Sequence, residues 1–160
     1  MTSFGDLYGR YSVDVFRFAL YLSGNRTDAE DITSETFVRA WTAPAPIRMA
    51  TVKGYLFTIA RNLFLQGRRK AARHVELSAE LPDPGVGPHV LAEHDSGLAA
   101  ALAALQKLPE VDRAALLMRA QDELSYEEIA RALGISLASV KIKIHRARLA
   151  LARIREAPRG

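Results

Sequence analysis

Lys141, Lys143, His145, Arg146 and Arg148 crowd one short stretch, and their spacing suits the reading of nucleic acid. Around them Leu137, Val140, Ile144, Ala147, Leu151 and Ile154 recur at steps of three and four. That period makes one buried stripe on a helix running from Leu137 to Arg155. The opposite face carries Ala138, Ile142, His145, Arg146, Leu149 and Arg153, flanked by Lys141, Lys143 and Arg148. A helix buried on one side and basic on the other fits a DNA major groove. There Arg146 is placed to read a guanine edge, His145 a base or phosphate, and Ile142 a thymine methyl. Lys141, Lys143 and Arg148 sit where phosphate contacts are expected. The plainer alternative is a helical hairpin with a solvated, lysine-rich face. Ile142 argues against it, because an apolar side chain gains nothing from water at the centre of an outward face.

The elements that must position this face come just before it. Ser125 and Glu128 have the spacing of a capping box, which opens a short helix. Gly134 supplies the left-handed geometry that ends it. Ser136 can then cap the long helix. Together these spell a helix-turn-helix.

A second constellation is Asp28, Asp31, Glu35 and Arg39, which steps of three and four place on one helical stripe. Carboxylates are hard ligands for a divalent metal. Arg39 opposes a cation, and no histidine or further carboxylate is placed to complete a shell. We therefore expect no metal and no cofactor. A solvated acidic face and a docking face for a basic partner both remain open. The third constellation is Arg61, Asn62, Gln66, Arg68, Arg69, Lys70 and Arg73. The run Arg68-Arg69-Lys70 can complement a helix dipole. With the irregular, Pro-broken segment before the helix, the set can also follow a nucleic-acid backbone and splayed bases.

Charge is distributed in three blocks. Residues 1–73 hold eleven Lys/Arg against six Asp/Glu, residues 74–97 none against five, and residues 98–160 eleven against seven. Two basic modules flank an acidic connector, as suits a polyanionic partner. The chain has no cysteine, which excludes disulfides, a thiol nucleophile and a cysteine-based zinc site. No apolar run approaches the ~18–20 residues that span a bilayer. The N-terminus lacks a basic-then-apolar signal pattern. A cytoplasmic protein without membrane insertion is expected.

The pattern predicts an all-α fold of two small helical domains, 1–73 and 98–160, joined by a flexible acidic linker at 74–97. Ser3 is expected to cap a first helix with Phe4, Leu7, Tyr8, Tyr11, Val15, Phe18, Ala19 and Leu22 inside. Thr27 and Glu30 form a capping-box pattern for a second, to about Trp41, burying Ala29, Ile32, Thr36, Phe37 and Ala40. A third runs from about Lys53 to Arg73 and buries Tyr55, Leu56, Ile59, Ala60 and Leu63. Leu98–Leu108 and a helix begun by Pro109 lead into the helix-turn-helix.

Taken in order, these segments resemble a bacterial RNA polymerase sigma factor of the extracytoplasmic-function class. Asp28 to Trp41 looks like the family's core-polymerase-binding helix. Gly54 to Leu63 with Arg68-Arg69 looks like its promoter-melting helix. Leu108-Pro109 with Arg113, then Ser125 to Ile129 and Ser139 to Arg148, look like its C-terminal promoter-binding domain. The resemblance implies that Asp28, Asp31, Glu35 and Arg39 dock on the clamp coiled coil of core RNA polymerase. It implies minus-ten contacts by Ile47, Arg48, Met49, Lys53, Arg61, Asn62, Gln66, Arg68 and Arg69, with the 42–52 loop holding a flipped base. It assigns the minus-thirty-five element to Ser139, Lys141, Ile142, Lys143, His145, Arg146 and Arg148, on a domain that also binds the polymerase flap. Promoter DNA and core polymerase are the implied partners, an anti-sigma protein the implied restraint, and the factor is not an enzyme. Two rivals stand beside this: a ligand-sensing dimeric helix-turn-helix regulator, and a magnesium-dependent nucleic-acid enzyme built on Asp28 to Glu35.

Overall fold

The computed structural model describes residues 3–43, 51–77 and 96–156. Within them the chain is helical, and no strand occurs. The helices are α1 (Phe4–Ser23), α2 (Arg26–Thr42), α3 (Val52–Leu77), α4 (Ser96–Gln106), α5 (Glu110–Ala120), α6 (Tyr126–Leu133) and α7 (Leu137–Glu156). The linker expected at 74–97 is shorter at both ends, because α3 runs on to Leu77 and α4 starts at Ser96. The rest of it, and the minus-ten candidates Ile47, Arg48 and Met49, lie outside the described residues.

Local chemistry sets the helix ends. Ser3 and Asp6 form a full capping box on α1, and Gly24 ends that helix at φ 70°. The cap of α2 is two residues earlier than expected. Asn25, extended after Gly24, accepts a hydrogen bond from the Asp28 N–H at 2.9 Å. Thr27 is already helical, and Glu30 pairs with Arg26 at 3.3 Å instead of reaching back to a cap. Ser125 Oγ accepts from the Glu128 N–H at 3.1 Å, and Ser136 Oγ from the Ser139 N–H at 3.1 Å. Gly134 closes α6 at φ 68°. The expected box at α6 is only half formed, because the Glu128 carboxylate goes elsewhere.

Its destination ties the two halves together. Thr51 caps α3, its Oγ1 accepting from the Gly54 N–H at 3.0 Å. In a capping box a Glu or Gln at Gly54's position would accept from the cap residue's own N–H. Gly54 has no side chain, and Glu128 of α6 fills that role from across the molecule. The Thr51 N–H donates to Glu128 Oε1 at 3.0 Å, and Thr51 Oγ1 donates to the same oxygen. A Cβ at Gly54 would overlap that carboxylate.

The buried residues make one continuous cluster drawn from α1 to α7. Val15, Phe18, Ala19 and Leu22 of α1 are fully inside, as expected, while Phe4 and Tyr8 are exposed. Thr33 and Thr36 of α2 are buried at no polar cost, since each hydroxyl donates to the carbonyl four residues back at 2.6 Å. On α3 the buried arc is wider than one stripe. Phe57 and Phe64 join Leu56, Ile59 and Ala60, while Tyr55 and Leu63 are half-buried. The arc widens because α3 packs on α1 and α2 as well as on α6. Phe57 stacks on Phe18 with ring centroids 4.6 Å apart.

Candidate nucleic-acid interface

Helix α7 has the two faces its sequence predicts along its middle, but at the ends of the expected buried stripe Leu137 is exposed and Leu151 and Ile154 are half-buried. Val140, Ile144 and Ala147 are buried against α5 and α6. Ile142 stands out at 62% exposure, with Lys141, His145, Arg146 and Arg148 exposed around it. Ser139 and Lys143 are half-buried. Lys141 Nζ lies 5.8 Å from the Tyr126 ring centroid, and Arg119 stacks on that ring from 4.5 Å. Arg146 is not a free guanidinium. It makes a side-on pair with Asp112 of α5, Nε to Oδ2 at 2.8 Å and Nη2 to Oδ1 at 2.9 Å. Lys143 Nζ lies 3.9 Å from the same carboxylate.

The minus-ten candidates divide. Asn62, Arg68 and Arg69 are exposed and Gln66 is half-buried. Arg68 lies over the Phe64 ring at 5.4 Å. Arg61, expected to touch DNA, is buried instead. Its guanidinium forks onto Glu110 of α5, Nε to Oε1 at 2.6 Å and Nη2 to Oε2 at 2.9 Å. Lys53 is also paired within the protein, with Nζ 3.5 Å from Asp14 of α1 and 3.6 Å from Asp122 just past α5. Gln106 Nε2 completes the seam by donating to the Tyr21 and Leu22 carbonyls at 3.2 Å each, supplying donors where the last turn of α1 has no basic residue. Arg113 is buried and donates through Nη1 to the Leu105 and Leu108 carbonyls at 3.3 Å. Burial pushes its pKa below the ordinary arginine value.

Asp28, Asp31, Glu35 and Arg39 share one exposed stripe on α2, with Arg39 paired to Glu35 at 3.1 Å. Asp28, Asp31 and Glu35 edge a groove of about 390 Å³ between α2 and α3, floored by Ile32, Leu63 and Phe64 and ended by Arg68. Burial, and then the neighbouring charge of Asp31, raise the Asp28 pKa above its usual value. Glu30 points away, into a separate depression with Tyr8, Val13 and Phe16. Among the described residues, no group of carboxylates and histidines could hold a metal ion. Among the described residues, no helix is long and apolar enough to cross a membrane.

Asp122, like Glu110 and Asp112, is not singled out by the sequence. Its side chain is 1% exposed, with Arg17 and Lys53 at 3.7 and 3.6 Å, beyond hydrogen-bond distance. Burial raises its pKa, partly offset by Lys53 and Arg17 and reinforced by Asp14. A carboxyl with a raised folded-state pKa binds its proton more tightly when folded. Its contribution to stability is therefore present at low pH and is lost as pH rises from the unfolded value through the raised one. Asp122→Asn should remove that component, so that urea midpoints of variant and parent converge in acid and the variant gains toward neutrality. A parent that gains stability relative to the variant over that window would contradict this.

Residues 7–74 match the family model Sigma-70 region 2, and residues 98–151 match Sigma-70, region 4. ECF RNA polymerase sigma factor SigE of Mycolicibacterium smegmatis is 40% identical over 154 residues, covering 92% of this chain and 60% of that protein. ECF RNA polymerase sigma factor SigL of Mycobacterium tuberculosis is 34% identical over 151 residues, covering 91% and 84%. Among solved structures, the sigma factor RpoE in complex with the anti-sigma factor NepR from Bartonella quintana superposes with a TM-score of 0.77 at 28% identity, covering 95% of this chain and 96% of that one. CnrH in complex with the cytosolic domain of CnrY gives 0.71 at 27% identity, covering 96% and 87%. The chain belongs to the ECF RNA polymerase sigma factors.

Proposed function

We propose that this chain is a non-catalytic initiation factor that binds core RNA polymerase in the cytoplasm and directs it to promoters. Residues 1–73 form the polymerase and minus-ten lobe, residues 98–160 the minus-thirty-five lobe, and residues 74–97 join them. The observation that carries this is α7: a capped helix seated on α5 and α6, with Ile142 exposed at the centre of a basic outward face. The acidic stripe on α2 gives the polymerase clamp a complementary edge, and an anti-sigma protein competes for the same surfaces.

Mechanism follows from linkage. Each lobe alone is a weak basic module. Polymerase holds the two at fixed spacing, so the second contact becomes intramolecular. Unstacking promoter bases costs a few kcal/mol per step, and capture of extruded bases by the first lobe offsets part of it. Arg61 faces Glu110 and Lys53 faces Asp122 of the other lobe in the free chain, so their promoter role requires the lobes to part. Phosphates then replace those carboxylates. The test is run-off transcription with core polymerase on a genomic fragment library. Discrete transcripts that need this chain support the proposal, and transcripts that form equally without it refute the proposal.

A further inference from the structure

Asp112 is a buried carboxylate whose charge is directed at the DNA-facing side of α7. It is 1% exposed, yet both cations it touches, Arg146 and Lys143, belong to that helix. It sits in the first turn of α5, where the helix dipole favours a negative charge. The carboxylate grips Arg146 by one edge only, through Nε and Nη2. A guanidinium presents its five N–H donors in a rigid planar fork. With the Nε/Nη2 edge occupied, the Nη1/Nη2 edge at the tip is open, and the Arg146 side chain is 56% exposed. That tip has the donor spacing for the O6 and N7 acceptors of guanine.

We propose that Asp112 is a positioning residue for promoter recognition. It locks the Arg146 fork in one orientation and offers its free edge to a single base pair of the upstream element. This rests on α7 being the promoter-reading helix. An unheld arginine samples many rotamers and loses that entropy on binding. It also reaches phosphates and bases alike, so freeing it weakens discrimination more than attraction. Lys143, 3.9 Å from the same carboxylate, is a second cation drawn to it.

The test uses the full chain with core polymerase on promoters randomised across the upstream element, with selectivity read from transcript counts at each position. Asp112→Asn keeps the shape and removes the charge. It should lose roughly tenfold in selectivity at one base pair, the scale of one bidentate contact. Arg146→Ala and Arg146→Lys should lose selectivity at that same position, because lysine keeps the charge without the fork. The double variant Asp112→Asn with Arg146→Ala should lose no more than Arg146→Ala alone. A purely structural role for Asp112 would instead lower the unfolding midpoint and weaken all promoters evenly. If the arginine variants lose selectivity and Asp112→Asn, with its midpoint unchanged, does not, positioning is refuted. If the arginine variants also keep full selectivity, the promoter-reading assignment of α7 falls, and the proposal with it.

Discussion

Glu35→Lys is expected to abolish association with core RNA polymerase while leaving the fold intact. Glu35 is exposed on α2, and its ion pair with Arg39 joins residues four apart on a helix surface. Such pairs contribute only about 0.3–0.5 kcal/mol, so losing one barely moves stability. For docking the change is much larger. The stripe of Asp28, Asp31 and Glu35 would gain a lysine beside Arg39, and a basic partner would meet like charge at its centre. Juxtaposed like charges in an interface cost several kcal/mol. Helical circular dichroism and the urea midpoint check the fold, and co-elution with core polymerase checks the contact. Continued co-elution would refute the docking face.

The combined substitution of Glu110 and Glu128 by alanine should open the molecule. Arg61 and Glu110 are 11% and 10% exposed in a forked pair between α3 and α5. Removing one partner of such a buried pair costs about 3–5 kcal/mol, because the other charge is left desolvated. Losing Glu128 also strips the Thr51 N–H of its acceptor at the start of α3. Arg61 regains a solvated charge only if the lobes separate. The expected result is a longer distance between fluorophores on α2 and α7, with tighter binding of the isolated chain to promoter DNA. An unchanged distance at an unchanged unfolding midpoint would show that these contacts do not hold the lobes together.

The single-helix features of this fold were legible in the sequence. The caps at Ser3, Ser125 and Ser136, the turn at Gly134, and the buried face of α7 follow from local spacing, and local spacing is what a linear chain displays. The acidic stripe was legible for the same reason. The seam between the halves was not. Glu110 and Asp112 stand in the first turn of α5, and nothing in the sequence links them to Arg61, 49 residues away, or Arg146, 34 residues away. Glu128 read as the partner of Ser125 because the box pattern is local. Its capture by Thr51 depends on Gly54 leaving room, which only the folded chain reveals. Asn25 displaced Thr27 as the α2 cap for a related reason. The left-handed turn at Gly24 fixes where the helix can begin, and the capping pattern by itself does not contain that information.

The most direct test is a titration of a fluorescently labelled promoter fragment with the chain alone, with core polymerase alone, and with both. The expected result is tight, sequence-selective binding and strand opening only in the mixture, lost when Glu35→Lys replaces the parent chain. Selective, tight binding by the isolated chain, or promoter opening by core polymerase that ignores its presence, would contradict the assignment.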